Sequence, residues 1–564
     1  MSHQLRRCAT RVGLVVLTGA CGNEADSLGG TDPARDAEVG PGDLADGADF
    51  GPIMDGGTET CGPELEPAPG RVRTTLGVVQ GSEENGVWSY LGLRYARAPV
   101  GERRWSVPEA PACAETVIMA DAVLPQCPQY DGMGQLVGAE DCLGLNLWSP
   151  VGEPDDRSRP VLVWIHGGGH EQGDGGRPIY GGAALARNRD VLVVTLNYRI
   201  GPFGFLSHPV LDAPGVPSGN YGMHDQLAAL RWVQENARAF GGDPEQVMIF
   251  GQSAGSVSVC RLVASPAAAG LFSSAALHSG ACVASPKTVA DEKGESFLAG
   301  VGCQTEDCLR QTSTQEIMAG FEPSSSGTNV VGRLTFDGVV DGVLLPDAPR
   351  SLIGARTHNA VPILVGSTRE ENGLGAPNLQ TEAAYQAAVR ALYGGAGVPN
   401  AVIDRLLEIY PVDDYPSPRA AYVSLTSDLR FTCSARQDAE LFRVSQEAPV
   451  YRYLFTHVPE EATPQLQAAG AWHGLDLFFI FGTLESASTL SAGPTDEATI
   501  TAMQAAWTAL ARGETPSPSS GPGPVFAWPE WNDEERLLIL EDGAQIEVDP
   551  RSAQCRALAQ LSGG

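Results

Sequence analysis

The chain has 564 residues, 43% of them hydrophobic and 19% charged, with a formal net charge of −31. That balance fits a soluble globular protein with room for a large core. So acidic a surface repels phosphate backbones and anionic lipid, which sets aside nucleic acid as a partner.

The first residues carry targeting rather than fold. "MSHQLRRCATR" supplies positive charge, and "VGLVVLTGA" is an apolar run that stops at Cys21, too short for a membrane-spanning helix. The pattern over residues 1–21 is a secretory signal. Gly19 and Ala20 directly before Cys21 resemble a bacterial lipoprotein cleavage site, with Cys21 as the lipidated residue; an ordinary signal peptide cut nearby is the alternative. Residues 22–70 are rich in Gly, Asp, Pro and Ala and should form a disordered acidic linker. The expectation is an exported protein, either an envelope lipoprotein or secreted, that meets a membrane only through that N-terminal lipid. Nothing in the chain indicates a protein partner.

Twelve cysteines in an exported chain point to disulfides. Cys127 with Cys142, Cys303 with Cys308, and Cys433 with Cys555 are candidate pairs. Cys61 with Cys113 is a further possibility, and Cys260 is expected as a buried free thiol.

From Arg71 onward strands alternate with helical stretches. "PVLVWIHGGG" and "DVLVVTLNY" are short Val/Leu/Ile runs suited to strands buried on both faces. "GMHDQLAALRWVQENARAF" has helical spacing at Leu227, Leu230, Val233 and Ala237 and stops at Gly241-Gly242. "QVMIF" is a strand again, followed much later by "AVPILVGS" and "APVYRYLFTH". Repeated strand–helix–strand order predicts an α/β fold, a mostly parallel sheet with helices on both faces, over residues 71–564.

"FGQSAGS", Phe250 to Ser256, places Ser253 in a G-x-S-x-G pattern between a predicted strand and a predicted helix. Gly251 and Gly255 permit the tight turn that presents such a serine at the sheet's edge. The amide-rich start of the next helix favours developing negative charge. Upstream, "WIHGGGH" ends a strand in three glycines. The amides of Gly168, Gly169 and Ala254 can form a three-donor oxyanion hole.

In α/β-hydrolases the acid and then the histidine follow the serine. Of nine histidines, only His457 and His473 follow a plausible acid. His457 ends a strand, whereas His473 in "GAWHGLDLFF" lies in the loop beyond it, where the base belongs. Glu370 and Glu371, in "GSTREENG", are both placed to supply the acid. No cofactor or metal is required by this set.

At this point the chain resembles the type-B carboxylesterase family. The resemblance rests on "YLGLRYARAPVGERRW", "EDCLGLNLW", "NYRIGPFGFL", "GNYGMHDQLAALRWVQENARAFGGDP", "FGQSAGS", "VVDGVLLP", "GSTREENG" and "AWHGLDLFFIFG", in that order. It implies an α/β-hydrolase fold and a serine carboxylic-ester hydrolase with Ser253 as nucleophile, Glu371 as acid and His473 as base. It further implies Gly168, Gly169 and Ala254 as oxyanion donors and Ser279 as a buried support for the acid. The Cys127–Cys142, Cys303–Cys308 and Cys433–Cys555 pairs match the family's disulfide framework. Two departures stand out. Gln252 occupies the position before the nucleophile, where the family usually has Glu. The segment between Cys127 and Cys142 is short and lacks Trp, so it offers no cation–π seat for a quaternary ammonium. Both argue against choline esters. Alternatives are a lipase for long-chain esters and a non-catalytic surface binding protein of the same family.

Overall fold

The computed structural model describes residues 62–64, 66, 68–152, 158–321, 336–487, 489–518 and 527–562. The expected signal segment, Cys21, Cys61 and most of the expected linker lie outside the described residues. Among the described residues no helix is long and apolar enough to cross a membrane.

The central sheet comprises β1 (Ser82–Glu84), β2 (Val87–Arg94), β3 (Gly144–Pro150), β4 (Arg159–Ile165), β5 (Leu192–Leu196), β6 (Gly242–Gln252), β7 (Ser274–His278), β8 (Ile363–Thr368), β9 (Val450–Phe455), β10 (Arg536–Glu541) and β11 (Gly543–Val548). Across the sheet they stand in the order β1-β2-β3-β5-β4-β6-β7-β8-β9-β10-β11. From β5 to β10 neighbours run parallel, and the strands at both margins pair antiparallel. This is the α/β-hydrolase architecture.

The apolar runs become central strands because each can fill two cores at once. On β4, Val161, Val163 and Ile165 belong to one buried cluster, while Leu162 and Trp164 belong to the other. Val247 and Ile249 divide from Met248 and Phe250 in the same way on β6. Period-two alternation sends successive side chains to opposite faces. In an edge strand one of those sets would meet water.

Helix α1 (Tyr221–Asn236) runs into a 3₁₀ turn, Ala237–Phe240, and stops at Gly241, whose φ of 82° is the left-handed conformation glycine favours at helix ends. Helix α2 (Ala254–Ala264) follows β6 directly. A third core lies away from the sheet. It is built by helices α3 (Glu382–Gly395), α4 (Asn400–Ile409) and α5 (Pro418–Ser427), together with the C-terminal α7 (Ser552–Ser562). Cys433, at the start of α6 (Cys433–Ser445), is disulfide-bonded to Cys555 on α7 within this core.

Disulfides also join Cys127 to Cys142 and Cys303 to Cys308. Cys260 is not a free thiol: it is bonded to Cys282. The chain beyond β7 turns back across α2, so closely that a Cβ on Gly280 would lie 2.5 Å from the Ser256 Cβ, and this brings Cys282 alongside the helix. Cys113 is also disulfide-bonded.

The Cys433–Cys555 bond closes a sequence separation of 122 residues. On the chain-entropy account, a loop that long is stabilised by about 5 kcal/mol through restriction of the unfolded state. The double variant Cys433→Ser/Cys555→Ser should therefore melt at a lower temperature in calorimetry. An unchanged Tm would show that the third core needs no such restraint.

Candidate active site

Four neighbouring strands, β4, β6, β7 and β8, bring their carboxyl ends to one edge of the sheet. Gly251 sits opposite Ile165, Gln252 opposite His278, and His278 opposite Gly366. The loops that leave those ends carry Gly168, Gly169, Ser253, Ala254, Ser279, Glu370 and Glu371, the usual place for a site in an open α/β sheet, while His473 comes from the chain beyond the adjacent β9.

Ser253 stands at the junction of β6 and α2 with φ 57° and ψ −125°. A non-glycine residue there costs about 1–3 kcal/mol of backbone strain. Its surroundings hold it in that state. The Ser253 amide donates to the His278 carbonyl (2.9 Å), extending the β6–β7 ladder by one bond. α2 then leaves at once, backbone against backbone. A Cβ on Gly255 would lie 2.0 Å from the Ile165 oxygen, and one on Gly251 would lie 2.5 Å from Gly255. The Ser253 side chain is thereby delivered, half-buried, to a cavity of about 970 Å³.

The loop after β4 lines the same cavity. Gly168 (φ 113°), Gly169 (φ 69°) and His170 (φ 57°) form three consecutive left-handed residues. At Gly168 a side chain is barred on a second count, since a Cβ would come within 2.1 Å of the Gln172 carbonyl oxygen. Both Glu171 and Gln172 donate their amides to the Gly168 carbonyl, which folds the loop tightly. Gly168, Gly169 and Ala254, the first residue of α2, line the cavity beside Ser253.

His473 and Glu371 meet across two loops. His473 Nδ1 lies 2.5 Å from Glu371 Oε2. Glu371 Oε1 accepts from the Thr368 amide (2.9 Å), and the carboxylate is fully buried. A buried carboxylate so engaged fixes the imidazole with its proton on Nδ1. His473 Nε2 then faces Gln252, whose side-chain amide nitrogen is 2.9 Å away and can donate to it. One face of the imidazole rests against Phe431, with ring centroids 4.6 Å apart. Phe431 belongs to a π-helical turn, Asp428–Thr432, and the Arg430 guanidinium lies 4.9 Å from its ring.

The remaining candidates have other tasks. Glu370 is ion-paired with Arg369 (2.6 Å) and accepts from the Ala471 amide (2.9 Å), bracing the loop that holds His473. His457 is buried against Asp496 at 2.6 Å. Ser279 is fully buried and lines the cavity, but its hydroxyl makes no hydrogen bond. The expected support of Glu371 by Ser279 is therefore not seen. The Glu371 oxygens are engaged instead by the Thr368 amide and His473. The contacts of Gln252 and Phe431 with His473 have no signature in sequence spacing; only the departure at Gln252 drew notice.

Residues 68–558 match the family model described as "Carboxylesterase family". The chain is 34% identical over 508 residues to the para-nitrobenzyl esterase of Bacillus subtilis (strain 168), covering 87% of this chain and 99% of that one. It is 30% identical over 489 residues to the fumonisin B1 esterase of Sphingopyxis macrogoltabida, with 84% and 86% covered. A solved structure titled "PNB esterase" superposes with a TM-score of 0.72 at 33% identity, covering 86% of this chain and 99% of the other.

Two buried histidines, His166 directly before the glycine loop and His224 on α1, are held neutral. Burial pushes His166 down to about 3 and His224 down to about 4. In the unfolded chain both would take a proton near pH 6.5. Between that value and their folded values the unfolded state binds more protons, so stability rises with pH. Their contribution is complete above about pH 6.5 and is lost as pH falls towards 4. Tm should be flat above pH 7 and decline between pH 6.5 and 5, with a shallower slope in His224→Gln. A Tm independent of pH across that window would contradict the assignment.

Proposed function

The chain belongs to the carboxylesterase family and is a carboxylic-ester hydrolase; from that premise we propose that it acts through an acyl-enzyme on Ser253. The observation that carries this reading is the continuous contact Glu371–His473 in a cavity shared with Ser253 and the Gly168, Gly169 and Ala254 amides.

In the proposed cycle Ser253 Oγ attacks the ester carbonyl carbon while His473 Nε2 takes the hydroxyl proton. The Gln252 amide must yield that nitrogen first, since it sits there in the resting structure. Glu371 holds the Nδ1 proton and stabilises the imidazolium that forms. The carbonyl oxygen, now an oxyanion, is met by the three amides, placed where no side chain intervenes. Collapse breaks the bond to the alkoxy oxygen, and His473 returns the proton to the departing alcohol. Water then repeats the sequence on the acyl-serine and releases the acid.

Apolar walls from Phe321, Leu374, Phe431, Trp472, Leu477 and Phe478 suit small-molecule esters with hydrophobic acyl or alcohol parts. The para-nitrobenzyl esterase and fumonisin B1 esterase among its relatives accord with such substrates. We further propose export with Cys21 as the lipid attachment point, a reading supported by the charged-then-apolar N-terminus and the disulfides.

Ser253→Ala should lower kcat on short p-nitrophenyl esters by at least about 10⁴-fold and abolish labelling by a fluorophosphonate. Full activity in that variant would end the assignment. Hydrolysis of C4 esters should exceed that of C16 esters; the reverse would favour a lipase. If Cys21 is lipidated, Cys21→Ala should move the protein from the membrane to the soluble fraction, and unchanged partition would refute the anchor.

A further inference from the structure

Behind the glycine loop lies a buried polar chain that the proposed cycle does not use. His170 follows Gly169 directly and is fully buried. Its Nε2 lies 2.9 Å from Ser258 Oγ, and Ser258 Oγ accepts from Gln226 Nε2 at 3.0 Å. On the other side of the ring, Nδ1 lies 3.0 Å from Asp337 Oδ1, close enough for strong attraction although off the hydrogen-bond axis. Asp337 is bound in turn by Arg261 Nη2 at 2.5 Å. Gln226 donates to Ser258, and with the imidazole proton on Nδ1 the order continues one way: Ser258 donates to Nε2 and the Nδ1–H faces the carboxylate. This order suits a neutral ring, and burial pushes the His170 imidazole down from its usual value.

The geometry says what the chain holds. Ser258 is four residues beyond Ala254 on α2, so the two lie on the same face of that helix. The contact of His170 with Ser258 therefore ties the loop that offers Gly168 and Gly169 to the helix that offers Ala254. His170 needs such restraint, because its φ of 57° is unfavourable for a side-chain-bearing residue. Packing supplies more: the ring lies 4.8 Å from Phe205, and the His170 carbonyl accepts from the Gly201 amide at 2.5 Å. Nothing else in the ester chemistry calls for a buried imidazole at this point.

We infer that His170 is a positioning residue for the oxyanion hole. Clamped between Asp337 and Ser258, it keeps the Gly168 and Gly169 amides in register with the Ala254 amide. The inference rests on the ester-hydrolase reading of this site, and its consequence is specific. A hole built for a tetrahedral oxyanion binds the transition state better than the planar ester. Loosening it should reduce kcat and leave KM nearly unchanged.

The test compares His170→Phe, His170→Gln and the milder Ser258→Ala by steady-state kinetics and by inhibition with an aryl trifluoromethyl ketone, which adds reversibly to serine as a tetrahedral mimic. His170→Phe should lower kcat by about tenfold or more, below the 10²–10³-fold typical of deleting one donor outright. Affinity for the ketone should fall by a similar factor, with KM within about twofold. His170→Gln, which retains a donor and an acceptor, should recover most of both, and Ser258→Ala should show a smaller loss of the same kind. Unchanged kcat and ketone affinity in His170→Phe would overturn the inference, as would a loss confined to KM or an equal loss in His170→Gln. Should His170→Phe fail to fold, Ser258→Ala decides by the same readouts. An enzyme that still depends on Ser253 but ignores these substitutions would sink this inference alone.

Discussion

The site depends on one close approach of backbone to backbone. α2 begins against the end of β4, with Gly255 directly over the Ile165 carbonyl. No residue with a side chain fits there, and the contact leaves a single path for the intervening chain. Ser253 must take a left-handed conformation, its side chain turned to the cavity and the first amides of α2 beside it. The same approach places Ser258 within reach of His170. Strain at the serine is thus sustained by the packing of two regular elements, each buried in the double core of the sheet.

The strands and the order of the site residues were legible because both depend on local rules. Uninterrupted Val/Ile/Leu runs belong only in a sheet covered on both sides, and glycine at 251 and 255 belongs where a helix starts without clearance. His473 could be placed by chain order relative to those elements; chain order narrowed the acid to Glu370 and Glu371, and the family resemblance chose Glu371. What was not legible is settled by side chains arriving from distant segments. Cys260 reads as an ordinary buried thiol until the chain after β7 folds over α2. Ser279 was given a partner by resemblance, but in the fold the Glu371 oxygens are held by Thr368 and His473. The carboxamide of Gln252 reaches the imidazole through a χ-angle choice that sequence spacing does not encode.

The third core bears on the proposed chemistry even though it lies apart from the sheet. α5 runs into the π-helical turn that carries Arg430 and Phe431, and the Phe431 ring supports the face of His473. A π turn widens the helix by one residue and redirects the side chains after it. Here it sends an aromatic ring to His473 from a helical layer anchored by Cys433–Cys555.

On the proposed mechanism, reactivity and selectivity are housed in different parts of the molecule. Ser253 and the loop of Glu371 leave strand ends whose positions are dictated by two cores, and His473 is held against Glu371. The cavity wall is assembled from separate segments of the chain, among them those carrying Phe321, Leu374, Phe431 and Phe478. Such a wall can be remodelled piece by piece while the groups that make and break bonds stay where they are. A scaffold organised this way can serve many different esters with a single chemistry.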